Sequence, residues 1–67
     1  MEDKEIIQLW TSGLSKYKVA EIYKRRYNQN IKIVRLEVRN RHAGRFISDY
    51  EALAKVEYTI LEYLRKK

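Results

Sequence analysis

The side chains able to do chemistry in this 67-residue chain are mostly cations, and they crowd into its middle. Residues 16 to 45 carry ten Lys or Arg against Glu21 and Glu37, a local balance of +8. Residues 1 to 15 set Lys4 against Glu2, Asp3 and Glu5, and residues 46 to 67 hold four charges of each sign, so the formal net charge is +6. A basic stretch confined in this way is the footprint expected of a polyanion binder, because each cation seated on a phosphate releases a condensed counterion. Among the cations stand Asn28, Gln29 and Asn30. Side-chain amides both donate and accept, and like Arg they can form paired hydrogen bonds with a purine edge.

The same inventory argues against other chemistries. Without cysteine there is no disulfide framework or thiolate metal site, and His42, the single histidine, cannot build a zinc site alone. No nucleophile and base pair can be assembled, and Gly13 and Gly44 are too few for a phosphate-cradling loop. The expectation is a protein that is not an enzyme, with no cofactor, metal or small-molecule substrate. No apolar run approaches the ~18 residues of a membrane span, and the chain opens on Glu2 and Asp3 rather than a basic leader. A cytoplasmic protein without a membrane partner is therefore expected. Hydrophobic residues at 45% and charged residues at 36% suit one folded domain over 1–67. A core this small gains from a second subunit.

The elements that must position these residues can be read from spacing. Asp3 to Ser12 places Ile6, Leu9 and Trp10 at helical intervals behind acidic residues that suit a helix N-terminus, and Gly13 stops it. Ser15 can cap a second helix whose apolar face is Val19, Ile22, Tyr23 and Tyr27, with Asn28, Gln29 and Asn30 expected to end it. From Ile31 to Arg41 two patterns overlap. Val34, Leu36 and Val38 alternate with charged residues as in a strand, while Ile31, Val34 and Val38 share a helical face beside Lys32, Arg35 and Arg39. The helix is the preferred reading; the alternative is a β-hairpin over about residues 31–48, a basic wing returning along Arg45 to Ser48. Ser48 and Glu51 then form a capping box that starts a long helix at Asp49. Its apolar residues Leu53, Val56, Ile60 and Leu64, widened by Tyr50, Ala54, Tyr58 and Leu61, exceed what packing on two short helices requires. The segment reads either as an ordinary core helix or as one that in part, through Leu53, Val56, Ile60 and Leu64, forms a homodimer interface over 49–66.

Two stretches, Leu14-Ser15-Lys16-Tyr17-Lys18-Val19-Ala20-Glu21-Ile22-Tyr23 and Ile33-Val34-Arg35-Leu36-Glu37-Val38-Arg39-Asn40-Arg41, together resemble the helix-turn-helix of small bacterial, phage and plasmid DNA-binding proteins. The likeness covers about residues 5 to 42, with Ala20 at the small position where the second helix packs on the first. The connection, Glu21 to Asn30, is longer than the compact turn of that family. The resemblance implies a mainly α domain of three or four helices whose second motif helix enters the major groove.

On that reading Ser15, Lys16, Tyr17 and Lys18 meet a phosphate at a helix N-terminus, and Lys24, Arg25 and Arg26 take further phosphates. Asn28, Gln29, Asn30, Lys32, Arg35 and Arg39 read bases, and Arg41, His42 and Arg45 extend the contact to the backbone or minor groove. The expected function is sequence-specific binding of double-stranded DNA by a homodimer, as a transcriptional regulator or accessory DNA-processing factor. The alternative is a small regulator whose basic face docks on an acidic partner protein. Most of the tyrosines, spaced with the apolar faces, are read as core or interface residues rather than as platforms for single strands, Tyr17 being the one set toward a phosphate.

Overall fold

The computed structural model describes residues 2–38 and 45–66, with side chains from 2–33 and 45–66. Three helices account for most of them: α1 (Asp3–Thr11), α2 (Lys16–Val38) and α3 (Asp49–Arg65). No strand occurs among the described residues.

α1 ends where the sequence places its stop. Ser12 is the C-cap, its N–H bonding back to the Gln8 carbonyl at 3.1 Å, and Gly13 follows at φ +110°, backbone that residues with a Cβ rarely adopt. Ser15 then caps α2, its Oγ accepting from the Lys18 N–H at 3.2 Å. α3 opens on the expected capping box. The Glu51 N–H donates to Ser48 Oγ at 3.2 Å, and the Ser48 N–H donates to the Glu51 carboxylate at 3.4 Å.

The core sits where the three helices meet. Ile6 of α1, Val19, Ala20 and Tyr23 of α2, and Ala52, Val56 and Ile60 of α3 are buried, and Trp10, Leu14, Tyr27, Ile47 and Leu53 pack around them. Trp10 meets Tyr63 edge to face with centroids 6.5 Å apart, so α1 and α3 also share an aromatic contact. Burial of Thr59 is tolerated because its hydroxyl donates to the Lys55 carbonyl at 2.9 Å. Each fully buried aliphatic side chain contributes about 1.5–3 kcal/mol. Ion pairs join every pair of helices at the rim: Arg26–Glu5 at 3.0 Å, Lys24–Asp49 at 2.9 Å, and Lys55–Asp3 at 3.1 Å. At about 0–1 kcal/mol each they orient the helices more than they stabilise them.

The main departure from the sequence reading is α2. It does not end at Asn28, Gln29 and Asn30 but runs unbroken for 23 residues, roughly 34 Å at 1.5 Å per residue. The proposed turn and second motif helix are one helix with the first, so a helix-turn-helix with its recognition helix after Asn30 is not what the chain forms. Neither is the hairpin alternative found where residues are described: Ile31–Val38 is helical, and residues 45–48 form no strand. Two causes are visible. Ile31, 9% exposed, carries the buried face past the asparagines. Asn28 also satisfies its amide on another segment, where a turn would need it on local backbone. The hairpin's proposed turn, Asn40 to Gly44, lies outside the described residues.

Candidate nucleic-acid interface

The basic middle of the sequence becomes one long helix, so helical geometry decides which cations share a face. Lys18, Arg25 and Lys32 recur every seven residues, which is close to two turns, and all three are exposed. Gln29, one turn beyond Arg25 and also exposed, joins the same face. This face lies opposite Val19, Tyr23 and Tyr27, which turn toward the core. In sequence the seven-residue interval continues to Arg39. Glu21 lies among the cations, 3.6 Å from Lys18 and 3.5 Å from Arg25. These are solvent-exposed pairs within one helix, weak enough to yield to a phosphate.

Lys16, Lys24 and Arg26 of α2 turn away from that face. Lys24, Arg25 and Arg26 are consecutive and fan out by 100° steps, so Lys24 reaches Asp49 of α3, Arg25 reaches Glu21, and Arg26 reaches Glu5 of α1. Lys16 points toward α3, with Nζ 3.8 Å from Glu57 and 5.3 Å from the centroid of the Tyr17 ring. Lys16, Lys24 and Arg26 therefore hold the helices together in this structure, where the sequence assigned them to phosphates. Ser15 uses its hydroxyl oxygen in the cap, and Tyr17 is exposed beside it. Asn30 is exposed one turn after Arg26.

Asn28 requires correction as a base reader. Its Nδ2 donates to the Ile47 carbonyl at 3.2 Å, and its Oδ1 accepts from the Ile47 N–H at 2.8 Å, both partly buried. An amide already bonded at both ends has no paired face left for adenine. Arg45, expected at a backbone or minor groove, makes a two-pronged pair with Glu51 at 3.0 and 2.6 Å. That contact raises the Arg45 pKa and holds the Glu51 carboxyl below its usual range, the hydrogen bond from Arg45 being the largest cause. The side chain of Arg35, and Arg39, Arg41 and His42 altogether, lie outside the described residues.

Sequence spacing did not single out Phe46. It is exposed and lines a shallow depression with Arg25, Asn28, Gln29 and Lys32, so an aromatic ring borders the outward basic face. The signal in the sequence is an aromatic residue directly after Arg45, at the end of the basic stretch.

The expected dimer residues also divide. Val56 is fully buried and Ile60 is 9% exposed, both inside the chain's own core, so they are corrected from interface to core. Leu53 is half-buried, and Leu64 is exposed. Tyr50 and Tyr58, read as core or interface, are largely exposed, whereas Tyr23 is buried and burial raises its pKa.

No helix among the described residues is long and apolar enough to cross a membrane, and no group of His, Asp or Glu there is placed to hold a metal ion. Compared with known protein families, curated proteins and solved structures, the chain matches none.

Proposed function

We propose that the protein binds double-stranded DNA as a homodimer, with α2 as the element laid into the major groove, and acts as a transcriptional regulator or accessory DNA-processing factor. The observation that carries this is the outward face of α2, where exposed Lys18, Arg25 and Lys32 recur at two-turn intervals with Gln29 among them. An α-helix about 10–12 Å across fits a major groove about 12 Å wide, and cations ~10.5 Å apart along the helix can reach phosphates along its walls. Gln29 supplies the paired donor and acceptor that base reading needs, and Arg35 and Arg39 continue the basic character by sequence. Recognition thus uses one continuous helix anchored at its N-terminal half in the core, without a separate recognition helix.

Fluorescence anisotropy on random-sequence duplex across a salt series tests the proposal. Binding at low salt that falls steeply as salt rises is expected. Absence of binding at low salt overturns it and leaves the basic face to an acidic protein partner.

A further inference from the structure

The inner face of α3 is filled by Ala52, Val56, Thr59 and Ile60, yet its outer face is also apolar. Tyr50, Ala54, Glu57, Leu61 and Leu64 are separated by alternating steps of four and three, the spacing of a two-helix seam. Tyr50 is 82% exposed, Leu61 50% and Leu64 49%, with Tyr58 flanking them at 61%. A helix whose second stripe repeats at coiled-coil intervals is built to pack on another helix.

We infer that a second copy of the chain docks on this outer face of α3, antiparallel, about a two-fold axis level with Glu57 and Tyr58. This deepens the homodimer part of the proposed function and does not depend on DNA binding. Charge selects the occupant and its direction. α3 begins with Asp49 and Glu51 and ends with Arg65 and Lys66. An antiparallel copy sets each acidic end, and each helix-dipole end, against its opposite; a parallel copy sets like against like. The two-fold then matches most of the seam in size and chemistry, with Leu64 standing level with Glu51 of the second copy. Small Ala54 faces large Leu61 of the second copy, twice. Tyr50 faces Arg65 of the second copy, a cation over an aromatic ring. Glu57, the one charge in the seam, faces the Tyr58 hydroxyl of the second copy, which can donate to it. The Glu57 pair with Lys16 is exposed and long at 3.8 Å, so it does not compete strongly. Such self-complementarity about one axis is the signature of an isologous interface.

Sedimentation of the full chain over a concentration series, together with oxidative cross-linking, tests this. A monomer–dimer equilibrium is expected, weakened by roughly tenfold or more in Leu61→Glu, with the helical circular-dichroism spectrum retained because Leu61 is outside the core. Tyr50→Arg, which sets a like charge against Arg65 of the second copy, serves should Leu61→Glu fail to fold. The chain has no cysteine, so mixing Ala54→Cys with Leu61→Cys chains should give a cross-linked heterodimer faster than either chain alone. In the antiparallel seam two copies of residue 54 stand ~10 Å apart along the axis, beyond the reach of a disulfide at about 7 Å. A wild-type monomer at every concentration, a dimer unaffected by folded seam variants, or rapid self-cross-linking of Ala54→Cys overturns the inference. Lost DNA binding with an intact dimer overturns only the DNA reading.

Discussion

Asn28 grips the backbone of Ile47 with both ends of its side-chain amide, giving one hydrogen bond at 3.2 Å and receiving one at 2.8 Å. This clasp ties the segment before α3 to the middle of α2, and Ile47 packs on the core beside it. Together with the Arg45–Glu51 pair and the Ser48–Glu51 capping box, it determines where α3 begins. The asparagine at the expected helix end is thus the reason the neighbouring segment is ordered against an uninterrupted helix.

Asn28→Ala should lower stability by about 1–3 kcal/mol in urea or thermal unfolding, because it leaves the partly buried N–H and carbonyl of Ile47 without partners. Asn28→Asp should not restore it, since a carboxylate can accept from the N–H but sets oxygen against the carbonyl. An Asn28→Ala variant of unchanged stability that alters base preference would instead make Asn28 a reader.

Glu51 should titrate below the ordinary glutamate value, because Arg45 and Ser48 hydrogen-bond its charged form. Its folded pKa lies under its unfolded value, so its contribution to stability is present above the unfolded value and is lost as pH falls through the folded one. A carboxyl NMR titration should show this depression, and Arg45→Ala should return the group toward its ordinary value of 4.5. An unchanged Glu51 titration in Arg45→Ala would refute the pairing as its cause.

Gly13→Ala should destabilise by about 1–2 kcal/mol through backbone strain alone. A Cβ at Gly13 would meet nothing within 4 Å, while φ is +110°. A thermal melt equal to wild type would show that the α1–α2 connection can adopt another conformation.

Arg25→Ala and Lys32→Ala should each weaken binding to random duplex and lower the salt slope by about 1, as expected for a lost phosphate contact. Gln29→Ala should leave random duplex almost unchanged and reduce preference for a selected site. Lys24→Ala and Arg26→Ala, whose partners are Asp49 and Glu5, should leave the salt slope near wild type. Equal slope losses for all four cations would remove the distinction between the outward face and the helix rims.

Boundaries set by local chemistry are legible in the amino-acid order. Gly13 stopping α1, Ser15 capping α2, and Ser48 with Glu51 opening α3 depend on bonds within three or four residues. The mainly helical class is legible too, because Ile6, Val19, Tyr23, Val56 and Ile60 recur at helical spacing and are buried together. Spacing could not rank Val56 and Ile60 against Leu61 and Leu64, since α3 is apolar on two sides and only the position of α2 and α1 decides which side is inside.

By itself, the sequence determined the helical periods, the caps and the confinement of basic charge to the middle of the chain, all of them short-range or compositional properties. Tertiary structure alone decided that α2 continues through Asn28, Gln29 and Asn30, because the weak helix preference of the two asparagines was outweighed by the burial of Ile31 and the clasp on Ile47. It also decided which cations face outward. Lys24, Arg25 and Arg26 are consecutive in sequence, yet the placement of Asp49 and Glu5 on neighbouring helices draws two of them into ion pairs and leaves Arg25 on the outer face with Lys18 and Lys32. Pairing across helices depends on residues about 20 or more positions apart, and no local pattern encodes that distance.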